Sequence, residues 1–227
     1  SYLDTMNSNA VAKFIELTHK RYAERFEPYF GSTVRGIFTD EPALNHNSPD
    51  CAPWTPKLPS EFEWRHGYEL IKVLPALFED MGHQTAKIRC DFYDTTTYLY
   101  QQAFFKQIYD FCDPIRLNAV GHVNAEGEFL WHTRCQGDFF AGAEWMHFGG
   151  VDFLCEYTWP ETVGGHNNLV SHKFAASAAH LLEKPVVMNE SFGLASQWGI
   201  SLRTLKWLSD WAIALGTNLL MPHAFYY

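Results

Sequence analysis

No segment of this 227-residue sequence approaches the roughly 20 consecutive apolar residues that a membrane-spanning helix needs, since its apolar runs are short, such as Leu219-Leu220-Met221. Basic charge is also scarce. Only 17 Lys and Arg stand against 26 Asp and Glu, for a net charge of −9, so there is no cationic stripe to neutralise phosphates and nucleic acid is not an expected partner. Cysteine is limited to Cys51, Cys90, Cys112, Cys135 and Cys155, an odd number without a Cys-x-x-Cys pair. That pattern argues against a disulfide framework or a structural zinc site. It suits free, mostly buried thiols and favours a cytoplasmic setting. Neither Gly-x-Gly-x-x-Gly nor His-x-His nor His-Glu-x-x-His occurs. The first residue is Ser1, with no Met and no signal-like apolar stretch, which suggests a cut from a longer polypeptide.

What is present is apolar and aromatic: 47% and 16% of residues, enough to bury a substantial core. Eight tryptophans fit a large core, and they also fit sugar binding, in which flat rings cover the apolar faces of pyranoses.

Along the chain, strand-like and helical patterns alternate. Residues 7–30 carry Val11, Phe14, Ile15, Leu17 and Tyr22 at helical spacing behind Ser8 and Asn9, and end at Gly31. A β-prone run over 34–39 stops in Asp40-Glu41-Pro42, where proline bars further pairing. Residues 42–60 have loop composition and hold Trp54, and helices are expected over 60–78 and 87–111. Further strand patterns at 115–120, 151–155, 185–188 and 218–221 lead into Gly121-His122, Glu156-Tyr157, Asn189-Glu190 and Pro222-His223, with helices near 172–182 and 202–215.

Strands separated by helices imply a parallel sheet with ligands at the C-terminal strand ends. Four of the five ends carry Glu or His. Chemistry after nearly every strand, without a dinucleotide fingerprint, favours a (β/α)8 TIM-type barrel over a doubly wound sheet. Five strands cannot close such a barrel, so three are expected outside this chain.

Glycoside hydrolysis needs one protonated carboxyl group to assist the leaving oxygen and one carboxylate to act as nucleophile or as base for water. Glu41 and Glu190, at strand ends three units apart, are the candidate pair. Because consecutive strand residues point to opposite sides, Glu41 is taken to face the barrel axis while Asp40 orients a hydroxyl or the following loop. Glu126, Glu128 and Glu156 also follow strands, where they can bind sugar hydroxyls, supply the base or stay solvated. His122 and His223 can donate to sugar hydroxyls or bind a metal. Tyr157, Trp159 and Trp198 lie in strand-end loops suited to stacking, whereas Trp207 and Trp211, four apart on a helix, read as core.

These residues resemble the catalytic barrel of large bacterial glycoside hydrolases related to the family 106 α-L-rhamnosidases. The resemblance runs through Ile37-Phe38-Thr39-Asp40-Glu41-Pro42, Arg65-His66-Gly67-Tyr68, Val120-Gly121-His122 with Glu126, Ala175-Ala176-Ser177-Ala178-Ala179, Asn189-Glu190-Ser191-Phe192-Gly193, and Leu215-Gly216-Thr217-Asn218 with His223 and Tyr226. It implies that residues 1–227 are the C-terminal part of a catalytic barrel, roughly strands 4 to 8, within a longer multidomain protein. An acid would follow strand 4 and a carboxylate strand 7, and calcium is an implied cofactor.

The expectation is therefore an O-glycosyl hydrolase acting on an oligosaccharide or glycoside. Glu41 would be the acid, protonated near neutral pH through partial burial and the proximity of Asp40, and Glu190 the nucleophile or base. Asp40, His122, Glu126, Glu156, Tyr157, Trp159, Trp198 and His223 would line the sugar subsite, with loop 42–60 as a cover. The resemblance leans towards inversion, hence a wide carboxylate spacing. The rivals are a non-catalytic carbohydrate-binding barrel and a metal-dependent hydrolase in which His122 and His223 converge on one ion.

Overall fold

A computed structural model describes residues 2–44, 51–154, 168–193 and 200–223. Its elements in chain order are α1 (Ser8–Leu17), α2 (His19–Phe26), β1 (Gly36–Thr39), α3 (Leu58–His66), α4 (Leu70–Val73), α5 (Thr85–Tyr100), α6 (Lys106–Cys112), β2 (Asn118–Gly121), α7 (Phe129–Gln136), α8 (Phe139–Glu144), β3 (Phe148–Phe153), α9 (Asn168–Leu181), β4 (Met188–Ser191), α10 (Leu202–Ala214) and β5 (Leu219–Pro222). All four strand pairings among the described residues are parallel. The strands stand in the order β1-β2-β3-β4-β5, a half-barrel. A doubly wound sheet reverses its strand order at a switch point, and this sheet never does. No helix among the described residues is long and apolar enough to cross a membrane.

The two-residue period of each strand sorts its side chains. On β3, Val151 and Phe153 are buried outward against Ala175 and Ala179 of α9 and Leu208 of α10. In register with them, Asn189 of β4 bonds His172 of α9 at 3.0 Å, and Ser191 Oγ donates to Asn189 Oδ1 at 2.9 Å. His172 Nδ1 faces the Asn168 carbonyl at 2.7 Å, and burial depresses its pKa to about 4, so the ring is neutral and its polar atoms are satisfied. The other phase, Gly150 and Asp152 on β3 and Glu190 on β4, faces the barrel interior. A second, larger core joins Val11 and Ile15 of α1, Phe92, Leu99 and Tyr100 of α5, and Ile108 of α6.

Several expected elements prove segmented. The helix read over 7–30 breaks at Thr18, whose hydroxyl bonds the Phe14 carbonyl at 2.7 Å while its backbone leaves helical geometry. Asn7, not Ser8 or Asn9, caps α1 through its side-chain oxygen. The helix expected over 60–78 stops at Gly67, left-handed at φ 77°. The one expected over 87–111 contains a π-helical stretch at Gln101–Phe105, which apolar periodicity does not reveal. The strand expected at 115–120 starts only at Asn118, because Asp113–Ile115 forms a 3-10 turn and Arg116 sits at φ 62°. Strand β4 starts later than its apolar run, so Glu190 lies within the strand.

Trp211 is core, packing on Phe153 and His172 at ring separations of 5.2 and 4.9 Å. Trp207 is not: it is 49% exposed, because it stands about 100° around the helix from the buried Leu208, at the rim of the apolar stripe. Cys112 and Cys135 are buried, whereas Cys51 and Cys90 are exposed.

Candidate active site

The interior-facing phase converges at the C-terminal ends of β1 to β4. Gly121 ends β2 at φ 146°, and a Cβ there would lie 2.1 Å from the Thr39 carbonyl oxygen, so only glycine lets β2 press against β1 and deliver the next residue, His122. His122 is fully buried in its side chain. Its Nε2 lies 2.6 Å from Glu190 Oε2 and 3.6 Å from Asp40 Oδ1, and its Nδ1 lies 3.6 Å from Glu126 Oε1. On the other side of Glu190, His223 Nε2 stands 3.8 Å from Oε1.

Charge follows from this packing. Burial alone would depress His122, yet its hydrogen bond to Glu190 and the charges of Glu126, Asp152 and Glu190 outweigh it and push its pKa up to about 9. The bond to His122 in turn holds Glu190 below the usual carboxylate range, against partial burial and with help from the His122 and His223 charges. At neutral pH the two form an imidazolium–carboxylate pair.

The acids with raised pKa lie deeper. Burial lifts Glu126 to about 7, although the His122 charge and the Asp152 backbone N–H, 3.0 Å from Oε1, oppose the rise. Asp152, whose Cα is in register with that of Glu190, also rises to about 7 through burial. His122 opposes this, while Glu190, Glu41 and Asp40 add to it. Its Oδ1 is buried without a hydrogen-bond partner. Sequence reading missed Asp152 because it lies inside an apolar strand, not past its end. The available signal was phase: an acid in step with Gly150, opposite to Val151 and Phe153.

Glu41 and Asp40 do not divide as strand alternation suggested. Glu41 has φ 44°, which ends the extended backbone, and both carboxylates act on Asp152. Asp40 is the one within ion-pair reach of His122. Both acids are exposed in this chain, so the partial burial expected for Glu41 is not found. His122 and Glu126, expected on the sugar surface, are buried behind Glu190, with side chains 0% and 8% exposed; neither is open to a ligand in this chain. His223 remains partly open. Glu156, Tyr157, Trp159 and Trp198 lie outside the described residues. Trp54 is 45% exposed, and the start of its loop is pinned where Gln136 Nε2 donates to the Pro42 carbonyl and Leu44 N–H to the Cys135 carbonyl.

Asp40, His122 and Glu190 are the one group among the described residues whose donor atoms, within 4.8 Å of one another, could surround a metal ion. An imidazole nitrogen already bonded to a carboxylate does not suit calcium, which takes six to eight oxygens. His122 and His223 do converge, but on the carboxylate of Glu190 and not on a shared open position.

The sequence profile of the glycoside hydrolase family 106 α-L-rhamnosidases matches residues 2–227. The chain belongs to this family. Among solved structures it is similar to a rhamnosidase from Novosphingobium sp. PP1Y, with a TM-score of 0.72 and 19% identity over 97% of this chain and 20% of that one. The family member described here thus spans about one fifth of that protein's length, and the likeness is one of fold. No curated protein matches it.

Proposed function

We propose that this chain supplies strands 4 to 8 of a closed (β/α)8 barrel in a larger multidomain protein, and that the barrel hydrolyses α-L-rhamnosides by general acid and base catalysis. The observation that carries the proposal is Glu190, held ionised by His122 at the C-terminal end of a parallel strand. A carboxylate in that state can take a proton from water as it attacks the anomeric carbon. Glu41 is the partner that protonates the leaving oxygen; it and Glu190 both act on Asp152, which lies on β3, between β1 and β4 in the sheet. Asp40, Glu156, Tyr157, Trp159, Trp198 and His223 contact the sugar, and loop 42–60 covers it.

In this reading Glu41 and Glu190 stand about 6.5 to 9.5 Å apart, leaving room for a water, and the reaction inverts the anomeric centre. Proton NMR of the first product formed from an α-L-rhamnoside by the intact protein tests this: β-L-rhamnose is expected, and the α anomer as first product would exclude it. Replacing the acid, Glu41→Gln, should slow substrates with poor leaving groups by about 10²-fold or more while sparing activated aryl rhamnosides. Equal loss on both would remove Glu41 from the acid role.

A further inference from the structure

Behind Glu190 lies a line of buried polar groups that cannot reach a substrate. The backbone N–H of Asp152 donates to Glu126 Oε1 at 3.0 Å, the same oxygen lies 3.6 Å from His122 Nδ1, and His122 Nε2 bonds Glu190 Oε2 at 2.6 Å. Glu126 is brought there by Ala125, a non-glycine residue at φ 61°. That turn is locked because the Ala125 carbonyl accepts the Glu128 N–H at 3.1 Å and faces His132 Nδ1 at 3.2 Å. A left-handed alanine costs on the order of 1 kcal/mol and persists only where its surroundings impose it. Here it folds an acid under the barrel mouth instead of leaving it in solvent.

We propose that Glu126 and His122 form a buried positioning relay, in which the Glu126 carboxyl group fixes the His122 ring and the ring aims the Glu190 carboxylate at the reacting centre. The proposal rests on the reading of Glu190 given above and deepens it. The buried ring holds Glu190 through Nε2, while its Nδ1 stands 3.5 Å from the Val123 carbonyl and within ion-pair distance of Glu126, an arrangement that a flipped ring would reverse. Glu190, Glu126, Asp152 and Asp40 are the acids that face His122, and His223 is the second imidazole facing Glu190. Removing the charge of Glu126 weakens the imidazolium, which weakens the hold on ionised Glu190. The pH at which His122 loses its proton then falls, and the basic limb of activity moves to lower pH.

The test is Glu126→Gln, with Glu126→Asp beside it, in the intact protein with an aryl α-L-rhamnoside. A positioning role lowers kcat about tenfold or more in the Gln variant, leaves KM within about threefold, shifts the basic limb of kcat downward, and is partly restored by Asp. A raised KM with unchanged kcat would show that Glu126 touches the sugar, and would overturn the proposal. So would a lowered kcat with an unmoved pH profile, which marks a structural loss. Imidazole NMR titration of His122 gives a readout independent of turnover, with its pKa expected to fall in both Glu126→Gln and Glu190→Gln. If Glu190→Gln stays active while that titration still shifts, the base assignment fails and the relay geometry stands; an unshifted titration in Glu126→Gln removes the relay.

Discussion

His122 Nε2 lies 2.6 Å from Glu190 Oε2, a bond between side chains supplied by β2 and β4 across the intervening strand β3. Alternate strands of a parallel barrel contribute to the same interior layer, so two strands that do not pair can still place side chains in contact. The bond explains how a carboxylate with a side chain only 15% exposed stays ionised near neutral pH.

Replacing His122 with Gln removes the cation and leaves Glu190 partly buried against a neutral amide. The carboxylate pKa then rises, and kcat at pH 6 should fall more than at pH 8. Breaking a fully buried ion pair costs about 3 to 5 kcal/mol. Because Glu190 remains partly solvated, a loss on the order of 2 to 3 kcal/mol is expected. Denaturant midpoints and a pH–rate profile check both statements, and equal loss at the two pH values would contradict the electrostatic account.

Stability should itself fall as pH rises from about 7 to 9. The folded pKa of His122 is raised from 6.5 to about 9, so its contribution is complete below 6.5 and lost as pH climbs through 9. Glu126 and Asp152, raised from 4.5 and 3.8 to about 7, lose theirs in the lower window between those values. There His172, lowered from 6.5 to about 4, opposes them, since its neutral form is favoured as pH rises. Urea midpoints at pH 7, 8 and 9 should decline in the parent protein and flatten in the His122→Gln variant; parallel declines would assign the slope to other groups.

Much of this site could be read before the fold was known. His122 directly follows the apolar run that forms β2, whereas the run before Glu190 ends where β4 begins, so the pattern locates the residue near the strand but not its place within it. Glu126 stands in a polar segment after a strand, and nothing in the sequence signals that Ala125 takes a left-handed turn and buries the residue after it. Asp152 was hidden by its own strand, where flanking apolar residues mask a single inward acid. Helix segmentation escaped for a related reason: the break at Thr18 and the π-helical stretch at Gln101–Phe105 depend on local hydrogen bonding that the spacing of apolar residues does not record.

Gly121 is the backbone position most exposed to substitution. Alanine there would place its Cβ 2.1 Å from the Thr39 carbonyl oxygen in a conformation with φ 146°. The clash is with backbone, so β1 and β2 must separate at the point where Asp40 and His122 leave them. A destabilisation of about 3 kcal/mol or more, with activity lost even in the folded fraction, is expected from equilibrium unfolding and assays of Gly121→Ala. A variant of parent-like stability and turnover would show that the strand ends tolerate the shift.

The central claim is that ionised Glu190 takes part in the chemistry and not only in holding the site together. Its most direct test is Glu190→Gln in the intact protein, comparing kcat on an aryl α-L-rhamnoside with the affinity for L-rhamnose measured by calorimetry. The account predicts that kcat falls about 10³-fold or more while affinity changes by less than about fivefold, because the amide keeps shape and hydrogen bonding but cannot accept the proton. A variant that turns over within about tenfold of the parent protein, or that loses sugar binding in proportion to rate, would contradict it.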